Sequence, residues 1–476
     1  MKNRSFIFIL SLLVLVLGIN AQSEKQKNIL LICIDDLRPE LASFGAEYIH
    51  SPNIDQLAKK GRPFLNHFVN APSCGPSRYT LLTGTYGPVG NDALFQRAKL
   101  ITKADNETPL TIPEWFKKHG YTTVSVGKVS HHPGGLGRTD WNNNQVIEIP
   151  NAWHRNLMPV GPWQHPRGAM HGLANAMVRS KEKGTMPVYE AAAHENDTYP
   201  DDLITKQTLM ELETLASTAD KPFFLAVGII KPHLPFGAPQ KYVDLYDKVS
   251  FPENPYPNKP QGKTTWHESG EIKQYNFWGK DLTSDSDFAL EVRKYYAACV
   301  SYADLQVGKI LKKLEETGAD KNTIVVLWGD HGWNLGEHGI WGKHNLFDVA
   351  LKSPLIIYTP GLIQPGEKAM GIVETLDIFP TLCDLTRLPK ADFSQGSSLI
   401  AMLENPIQSG HAAVSYLQNA QSIRVPRYRL IAHDDDYIEL YDYESPEKEN
   451  QNIADEHPEK VAELKLLLRS KIDQVR

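Results

Sequence analysis

The thiol of Cys74 lies in unusual surroundings for a cysteine. It belongs to SCGPSRYTLLTG, residues 73–84, where it stands beside glycine, proline and arginine and directly before a run of helix-forming residues. The other cysteines, Cys33, Cys299 and Cys383, lie in apolar strand-like or helical runs, where a buried structural thiol is expected. Their scattered spacing indicates no disulfide framework. Cys74 is therefore the thiol whose position suggests chemistry.

Two acidic clusters end apolar runs of the chain. Asp35 and Asp36 follow NILLICI, and Asp330 with His331 follows TIVVLWG. Adjacent carboxylates repel each other unless a cation lies between them, and hard cations such as Ca²⁺ bind carboxylate oxygens. Alone, the first pair also fits a solvated turn. Together the clusters predict one metal site, in which His331 is either a less usual ligand or a group that contacts the substrate.

The elements that must position these residues alternate along the chain. Apolar runs such as NILLICI, TTVSVG, FFLAVGI and TIVVLWG are separated by helical stretches. This pattern predicts an α/β fold with a large, mostly parallel sheet sandwiched by helices. In such sheets ligands bind beyond the carboxyl ends of the strands, where both acidic clusters lie. From Asn142 to about Asp202 the chain shows no periodic element, which predicts long loops over the site.

Length and charge place the chain among ordinary globular proteins. It has 476 residues and a formal net charge of −6, without a basic stretch that would indicate a nucleic-acid partner. MKNR, an apolar run and GINAQS predict a signal peptide over residues 1–21, and thus export to the periplasm or the medium without stable membrane insertion. Residues 22–405 are expected to form the catalytic domain. Residues 406–476, with two strand-like runs and an amphipathic helix, are expected to form a smaller α+β domain.

The segment CGPSR, followed by LLTG, matches the signature of the type I sulfatases of the alkaline-phosphatase superfamily. The chain resembles this family from about Asn28 to its C-terminal segment, and GKVSHHPG, KPHLPFGAP and DHGWNLGEHGIWGKHN are most similar to the iduronate-2-sulfatase pattern. The resemblance implies an alkaline-phosphatase-like fold and a sulfuric ester hydrolase acting on a sulfated saccharide. It also implies one bound Ca²⁺, with Mg²⁺ as the near alternative, and oxidation of Cys74 to formylglycine by a maturation enzyme.

The resemblance further implies a role for each matching side chain. One hydroxyl of the hydrated aldehyde at position 74 attacks sulfur, and the other later loses its proton so that sulfate is eliminated. Arg78 pairs with the hydrate or with the metal ligands. Lys128 and Lys343 bind sulfate oxygens, and His233 protonates the leaving oxygen.

The base that takes the second proton is one of two adjacent histidines. The family places a histidine three residues after the first lysine, which is His131, but His132 is the residue that precedes Pro-Gly here. The lysine spacing favours His131, and the choice stays open at this point. After LLTG the chain reads TYGPVGNDALFQRAK and departs from the iduronate pattern, so the resemblance does not carry a uronate preference.

Two other functions remain as alternatives. A phosphomonoester or phosphonate hydrolase of the same superfamily would share the metal-bearing sheet, and Cys74 within CGPSR disfavours it. A non-catalytic carbohydrate-binding relative would have lost its metal ligands. The presence of Asp35, Asp36, Asp330 and both lysines disfavours that function.

Overall fold

Strands and helices alternate through the computed structural model of this chain, which describes residues 25–101, 108–136, 140–194, 198–218, 221–260 and 270–473. The predicted signal peptide, residues 1–21, lies outside the described residues. The strands are β1 Asn28–Ile34, β2 Arg62–Phe68, β3 Thr122–Gly127, β4 Arg155–Leu157, β5 Tyr189–Ala192, β6 Phe223–Ile229, β7 Phe236–Pro239, β8 Thr323–Gly329, β9 Asn334–Leu335, β10 Trp341–Gly342, β11 Leu355–Tyr358, β12 Ala369–Glu374, β13 Ala413–Leu417, β14 Ala420–Arg424, β15 Tyr428–His433 and β16 Ile438–Asp442. The α-helices are α1 Pro52–Lys60, α2 Cys74–Thr83, α3 Ala93–Ile101, α4 Ile112–Lys118, α5 Pro166–Met170, α6 Pro200–Ser217, α7 Gln240–Asp244, α8 Ser286–Glu316, α9 Asp348–Leu351, α10 Ile378–Leu385, α11 Ile400–Glu404 and α12 Pro458–Asp473.

The main sheet has the strand order β12-β2-β11-β8-β1-β6-β3-β4. β11 is antiparallel to both of its neighbours, and the other pairs are parallel. This confirms the predicted mostly parallel sheet. Ile34 at the end of β1 pairs with Ile229 of β6 and with Gly329 of β8. Three adjacent strands therefore end at one level, and the residues that follow them leave the sheet side by side.

Both faces of the sheet are covered by helices, which explains the continuous apolar runs. Leu30 and Ile32 of β1 belong to a core cluster formed with α1, α6 and α8. Ile29 and Leu31 point to the opposite face and belong to a cluster formed with α2, α4 and α10. Because successive side chains of a strand point to opposite faces, a strand buried on both faces needs an apolar residue at every position.

The region from Asn142 to about Asp202 contains regular elements, so the prediction that it lacks them is wrong. β4 extends the edge of the main sheet beside β3, β5 pairs with β7, and α5 and the start of α6 also fall here. Apart from α6, these elements are only three to five residues long. A segment of that length is too short to show a helical or strand period.

The C-terminal part forms a separate antiparallel sheet, β13-β14-β15-β16, with α12 packed against it. The sequence predicted two strands between residues 406 and 476, and the structure has four there. The structure confirms the predicted smaller C-terminal unit, which contains both strands and a helix. Its boundary between residues 405 and 406 stays a prediction. None of the helices in the described ranges combines the length and apolarity that a membrane crossing requires.

Candidate active site

The carboxyl edge of the main sheet collects the residues singled out in the sequence. β1, β3, β6 and β8 run parallel and end together, and β2 leads at the same edge into α2. The loops after these strands carry Asp35 and Asp36 (β1), Lys128 (β3), His233 (β6), Asp330 and His331 (β8), and Cys74 with Arg78 (β2 and α2). The sheet thus places residues almost 300 positions apart within one buried cluster.

Arg78 joins two of the carboxylates. Its Nε donates to Asp330 Oδ2 at 3.1 Å and its Nη2 donates to Asp35 Oδ1 at 3.1 Å. The backbone N–H of Asp36 donates to Asp330 Oδ1 at 2.9 Å. All four side chains are buried. Arg78 therefore pairs with proposed metal ligands, one of the two roles expected for it.

Two buried lysines face the same cluster. Lys128 Nζ forms an ion pair with Asp35 Oδ2, and Lys343 Nζ donates to Asp36 Oδ1 at 2.7 Å and lies 3.1 Å from Cys74 Sγ. Lysine is rarely buried unless it is paired. Burial disfavours the charged form of Lys343, but Asp36 outweighs that effect and raises the pKa of this ammonium well above its ordinary value. Both lysines are fixed positive charges.

Cys74 is the first residue of α2, a helix whose ten residues are all buried. Its Sγ lies 3.3 Å from His331 Nε2 and 3.9 Å from Asp36 Oδ1. Burial and the negative charge of Asp35 raise the pKa of the Cys74 thiol well above its ordinary value, although Lys128 and Lys343 act in the opposite direction. Because a cysteine nucleophile needs a lowered pKa, these surroundings do not favour the unmodified thiol as the nucleophile. The helix N-terminus, with its partial positive charge, faces the cluster.

The donor set fits a hard cation. Asp36 Oδ2 is buried, and no hydrogen-bond donor in the described residues reaches it. One ligand atom from each of Asp35, Cys74, Asp330 and His331 lies within 4.8 Å of the others. His331 Nδ1 donates to the Gly332 carbonyl at 2.9 Å, which leaves Nε2 facing the carboxylates. A buried carboxylate oxygen without a donor is costly unless a cation satisfies it.

His233 is oriented by its own loop. Its Nδ1 donates to the Leu234 carbonyl at 2.7 Å, so Nε2 points into the site, 4.0 Å from Asp35 and 3.1 Å from Glu271 Oε1. Glu271 Oε2 also lies 3.4 Å from Lys343 Nζ. Burial acts to raise the pKa of Glu271, but Lys343 and His233 outweigh it and hold that pKa well below its usual range.

The adjacent histidines differ in their contacts. His132 lies 3.0 Å through Nδ1 from Glu148 Oε1, and its backbone N–H donates to the same carboxylate. His131 is oriented differently: its Nδ1 is buried and has no partner in the described part of the chain. Burial and the nearby charge of Lys128 lower the pKa of His131 well below its ordinary value. The His131 ring is therefore a neutral group near Lys128.

Sequence reasoning missed three residues at this site. Glu271 and His171 lie in stretches without any motif, and no pattern could have indicated them. Asn91 lies in the segment that departs from the iduronate pattern, and its Oδ1 accepts from Ser73 Oγ at 3.0 Å and from the backbone N–H of Gly75 at 3.1 Å. The divergent segment thus supports the start of α2.

Comparison with known proteins decides the family. A sequence model described as Sulfatase matches residues 27–388. The chain belongs to the sulfatase family. This sulfatase also matches, over residues 336–476, a model described as N-sulphoglucosamine sulphohydrolase, C-terminal. The sulfatase is a hydrolase of sulfate esters, as predicted.

Relatives of this sulfatase include proteins that are themselves named sulfatases. Iduronate 2-sulfatase of Homo sapiens is 33% identical over 427 residues, which cover 80% of this chain and 73% of that protein. A sulfatase of Formosa agariphila is 31% identical over 491 residues, which cover 98% of this chain and 92% of that protein. The predicted similarity to iduronate-2-sulfatases is confirmed.

Two solved structures show the fold. A phosphonate monoester hydrolase of Agrobacterium radiobacter superposes with a TM-score of 0.75 at 21% identity, covering 95% of this chain and 96% of that one. A protein solved with its substrate D-glucosamine-2-N,6-O-disulfate superposes with a TM-score of 0.71 at 22% identity, covering 95% and 98%. At such identities the likeness concerns the fold alone, and it confirms the alkaline-phosphatase-like architecture.

Proposed function

We propose that this sulfatase removes sulfate from a polysaccharide or a glycosaminoglycan-type oligosaccharide, through formylglycine formed from Cys74 and with one bound Ca²⁺. The observation that carries the proposal is the position of Cys74. Within the family signature, it starts a buried helix 3.1 Å from Lys343 Nζ and 3.3 Å from His331 Nε2. The sugar preference is supported by relatives named iduronate 2-sulfatase and ulvan-active sulfatase.

The metal would be held by Asp35, Asp36 and Asp330, with the converted residue 74 and His331 beside them. Their mainly hard oxygen donors favour Ca²⁺, and Mg²⁺ is the near alternative. Bound there, the ion would neutralise the carboxylates and polarise an oxygen ligand. Arg78 keeps Asp35 and Asp330 in place from the protein side.

The attack on sulfur, the binding of sulfate and the two proton transfers are assigned to the other side chains of the site. The hydrated aldehyde would supply the attacking oxygen and, on the same carbon, the hydroxyl whose deprotonation releases sulfate. Lys128 and Lys343 would bind sulfate oxygens as fixed charges. His233, through Nε2, would protonate the leaving sugar oxygen, and His131 would accept the second proton.

The maturation partner and the location follow from the same proposal. A formylglycine-generating enzyme must act on Cys74 before the chain folds around it, since α2 is buried in the native protein. Export to the periplasm or the medium, directed by residues 1–21, would bring the enzyme to polymeric substrates.

One specific observation favours a second candidate. Solved phosphonate monoester hydrolases share the fold over almost the whole chain. A phosphonate or phosphate monoester would also meet the two lysines and the helix N-terminus. A phosphonate monoester assayed beside the sulfated saccharides distinguishes the two candidates, since faster cleavage of the phosphonate would favour the second.

The test uses the full chain co-expressed with a formylglycine-generating enzyme. We expect peptide mass spectrometry to find the aldehyde at position 74, elemental analysis to find one Ca²⁺ per chain, and sulfated saccharides to release sulfate. Cys74→Ala should reduce sulfate release to background, whereas the matched control Cys299→Ala, which removes a buried thiol from α8, should keep it.

Full activity in protein that carries only cysteine at position 74 would refute the conversion. Stoichiometric zinc, with activity lost on its removal alone, would refute the calcium assignment.

A further inference from the structure

The wall beside His233 contains polar side chains that the proposed chemistry does not use. The rings of His171 and His233 lie 5.2 Å apart. Arg179 Nη2 lies 3.2 Å from His171 Nε2, and Arg179 Nη1 donates to the Tyr275 hydroxyl at 3.3 Å. The same hydroxyl lies 3.4 Å from His171 Nδ1. Arg179 is therefore separated from the proposed general acid by a single side chain.

A second arginine lies on the same side of the site. Arg167 lies in α5, one turn before His171, which directly follows that helix, and the Arg167 carbonyl accepts from the backbone N–H of His171 at 3.2 Å. Burial lowers the pKa of Arg167, and the positive charge of Arg179 acts in the same direction. Neither arginine forms an ion pair with a carboxylate of the described residues, and Asp140 acts on Arg167 only from beyond ion-pair distance.

Arginines without a carboxylate partner are suited to bind an anionic group of a ligand. Glu271 is not their anionic partner. Its carboxylate is taken up by His233 Nε2 at 3.1 Å and by Lys343 Nζ at 3.4 Å. Arg167 and Arg179 are both partly exposed, so a ligand can reach them.

We infer that Arg167, Arg179 and Tyr275 bind a second anionic group of the saccharide, next to the sulfate ester that is cleaved. The inference rests on the proposed function, because it takes His233 as the group facing the leaving oxygen. A carboxylate of a uronic acid and a second sulfate ester both offer the planar or trigonal set of oxygens that a guanidinium binds with paired N–H donors. The site would thus select acidic polysaccharides over neutral ones.

The experiment compares substrates that differ in one substituent. kcat/KM is measured by sulfate release for a disaccharide with a uronic acid beside the sulfated sugar, for its doubly sulfated counterpart and for a neutral counterpart, with an aryl sulfate as reference. Arg179→Ala and Arg167→Ala should lower kcat/KM for the anionic compounds about 10- to 100-fold more than for the neutral one. The matched control Arg427→Ala, which removes a surface arginine paired with Asp442, should leave the ratio unchanged.

Each outcome has a distinct meaning. A selective loss on the uronate compound assigns the carboxylate, and one on the doubly sulfated compound assigns the second sulfate. Equal losses on anionic and neutral compounds, or a wild type without preference for either anion, would overturn the inference. If no compound, including the aryl sulfate, releases sulfate, the proposed function fails. Calorimetry with the desulfated uronic-acid disaccharide then tests the site by itself, and equal affinities of wild type and Arg179→Ala would overturn it.

Discussion

At the scale of single residues, the adjacent histidines His131 and His132 have different surroundings. His132 is fixed by Glu148 and packs edge-on against Trp141 with ring centroids 4.8 Å apart. His131 has a buried, unpartnered Nδ1, and burial together with the charge of Lys128 lowers its pKa. A neutral imidazole can accept a proton, whereas one already held by a carboxylate is less free to do so. We therefore propose His131 as the base.

This difference gives a prediction for the two alanine variants. His131→Ala should lower kcat about 10²-fold or more, because sulfate elimination loses its base. The first turnover should persist as a burst of released alcohol, followed by a covalent sulfate adduct visible by intact mass spectrometry. Because the pKa of His131 is lowered, the acidic limb of the wild-type kcat profile should lie below a pH of about 6.5.

The matched control is His132→Ala. It removes the contact with Glu148 and should change kcat much less, without accumulation of an adduct. An adduct in His132→Ala and none in His131→Ala would transfer the role of base to His132.

The residues of the site were predictable where a motif fixed them. Cys74 and Arg78 lie in a specific signature, and the acidic pairs end recognisable apolar runs, so the sheet topology alone was enough to bring them together. Glu271 and Arg179 were not predictable, because a single charged residue in a polar stretch is usually a solvated one. Only the folded chain shows that both lie close to His233.

At the scale of elements, the strands β3 and β6 fix the position of Lys128, one of the two lysines proposed to bind sulfate. Gly127 of β3 pairs with Gly228 of β6, and the backbone N–H of Lys128 donates to the Gly228 carbonyl at 3.0 Å. A Cβ at Gly228 would lie 1.9 Å from the carbonyl carbon of Lys128. The glycine is therefore needed for the close approach of these strand ends.

We predict that Gly228→Ala displaces Lys128 from the site. The displacement should lower kcat/KM about 10- to 100-fold and should also lower the melting temperature, since the strand ends must separate. Enzyme assays and thermal unfolding measure the two effects. Gly120→Ala is the control: Gly120 has φ +87° and no heavy atom within 4 Å of an added Cβ. It should cost stability through backbone strain without changing kcat/KM, and the same profile in Gly228→Ala would disprove the positional effect.

Elements were predictable in proportion to their length and burial. β1 and β8 are seven-residue runs buried on both faces, and their pattern is continuous and apolar. β4 has three residues with mixed exposure, and its place at the sheet edge is decided by pairing with β3 rather than by its own sequence. β13 and β14 likewise exist through their cross-strand partners.

At the scale of the whole molecule, one polar cluster joins the C-terminal unit to the main sheet. Glu374 at the end of β12 accepts from the backbone N–H of Val414 at 2.7 Å and lies 3.2 Å from Lys471 Nζ of α12. His411, in the segment that leads into β13, lies 2.8 Å through Nε2 from Asp377 Oδ2. Residues from both units thus share one network of ion pairs.

This network should make stability depend on pH in a defined window. Burial acts to lower the pKa of His411, but the hydrogen bond and charge of Asp377 outweigh it and raise the pKa to about 9. A raised pKa means that the stabilisation is complete below the unfolded value of about 6.5 and is lost as the pH rises through about 9. The loss should be on the order of 1–3 kcal/mol of unfolding free energy. Denaturant unfolding at pH 6 and pH 9.5 measures this loss.

In His411→Gln the difference in unfolding free energy between the two pH values should shrink by that amount, while His457→Gln, at an exposed position of the same unit, should keep it. An unchanged difference in His411→Gln would show that the contact between the two units does not depend on this histidine's charge.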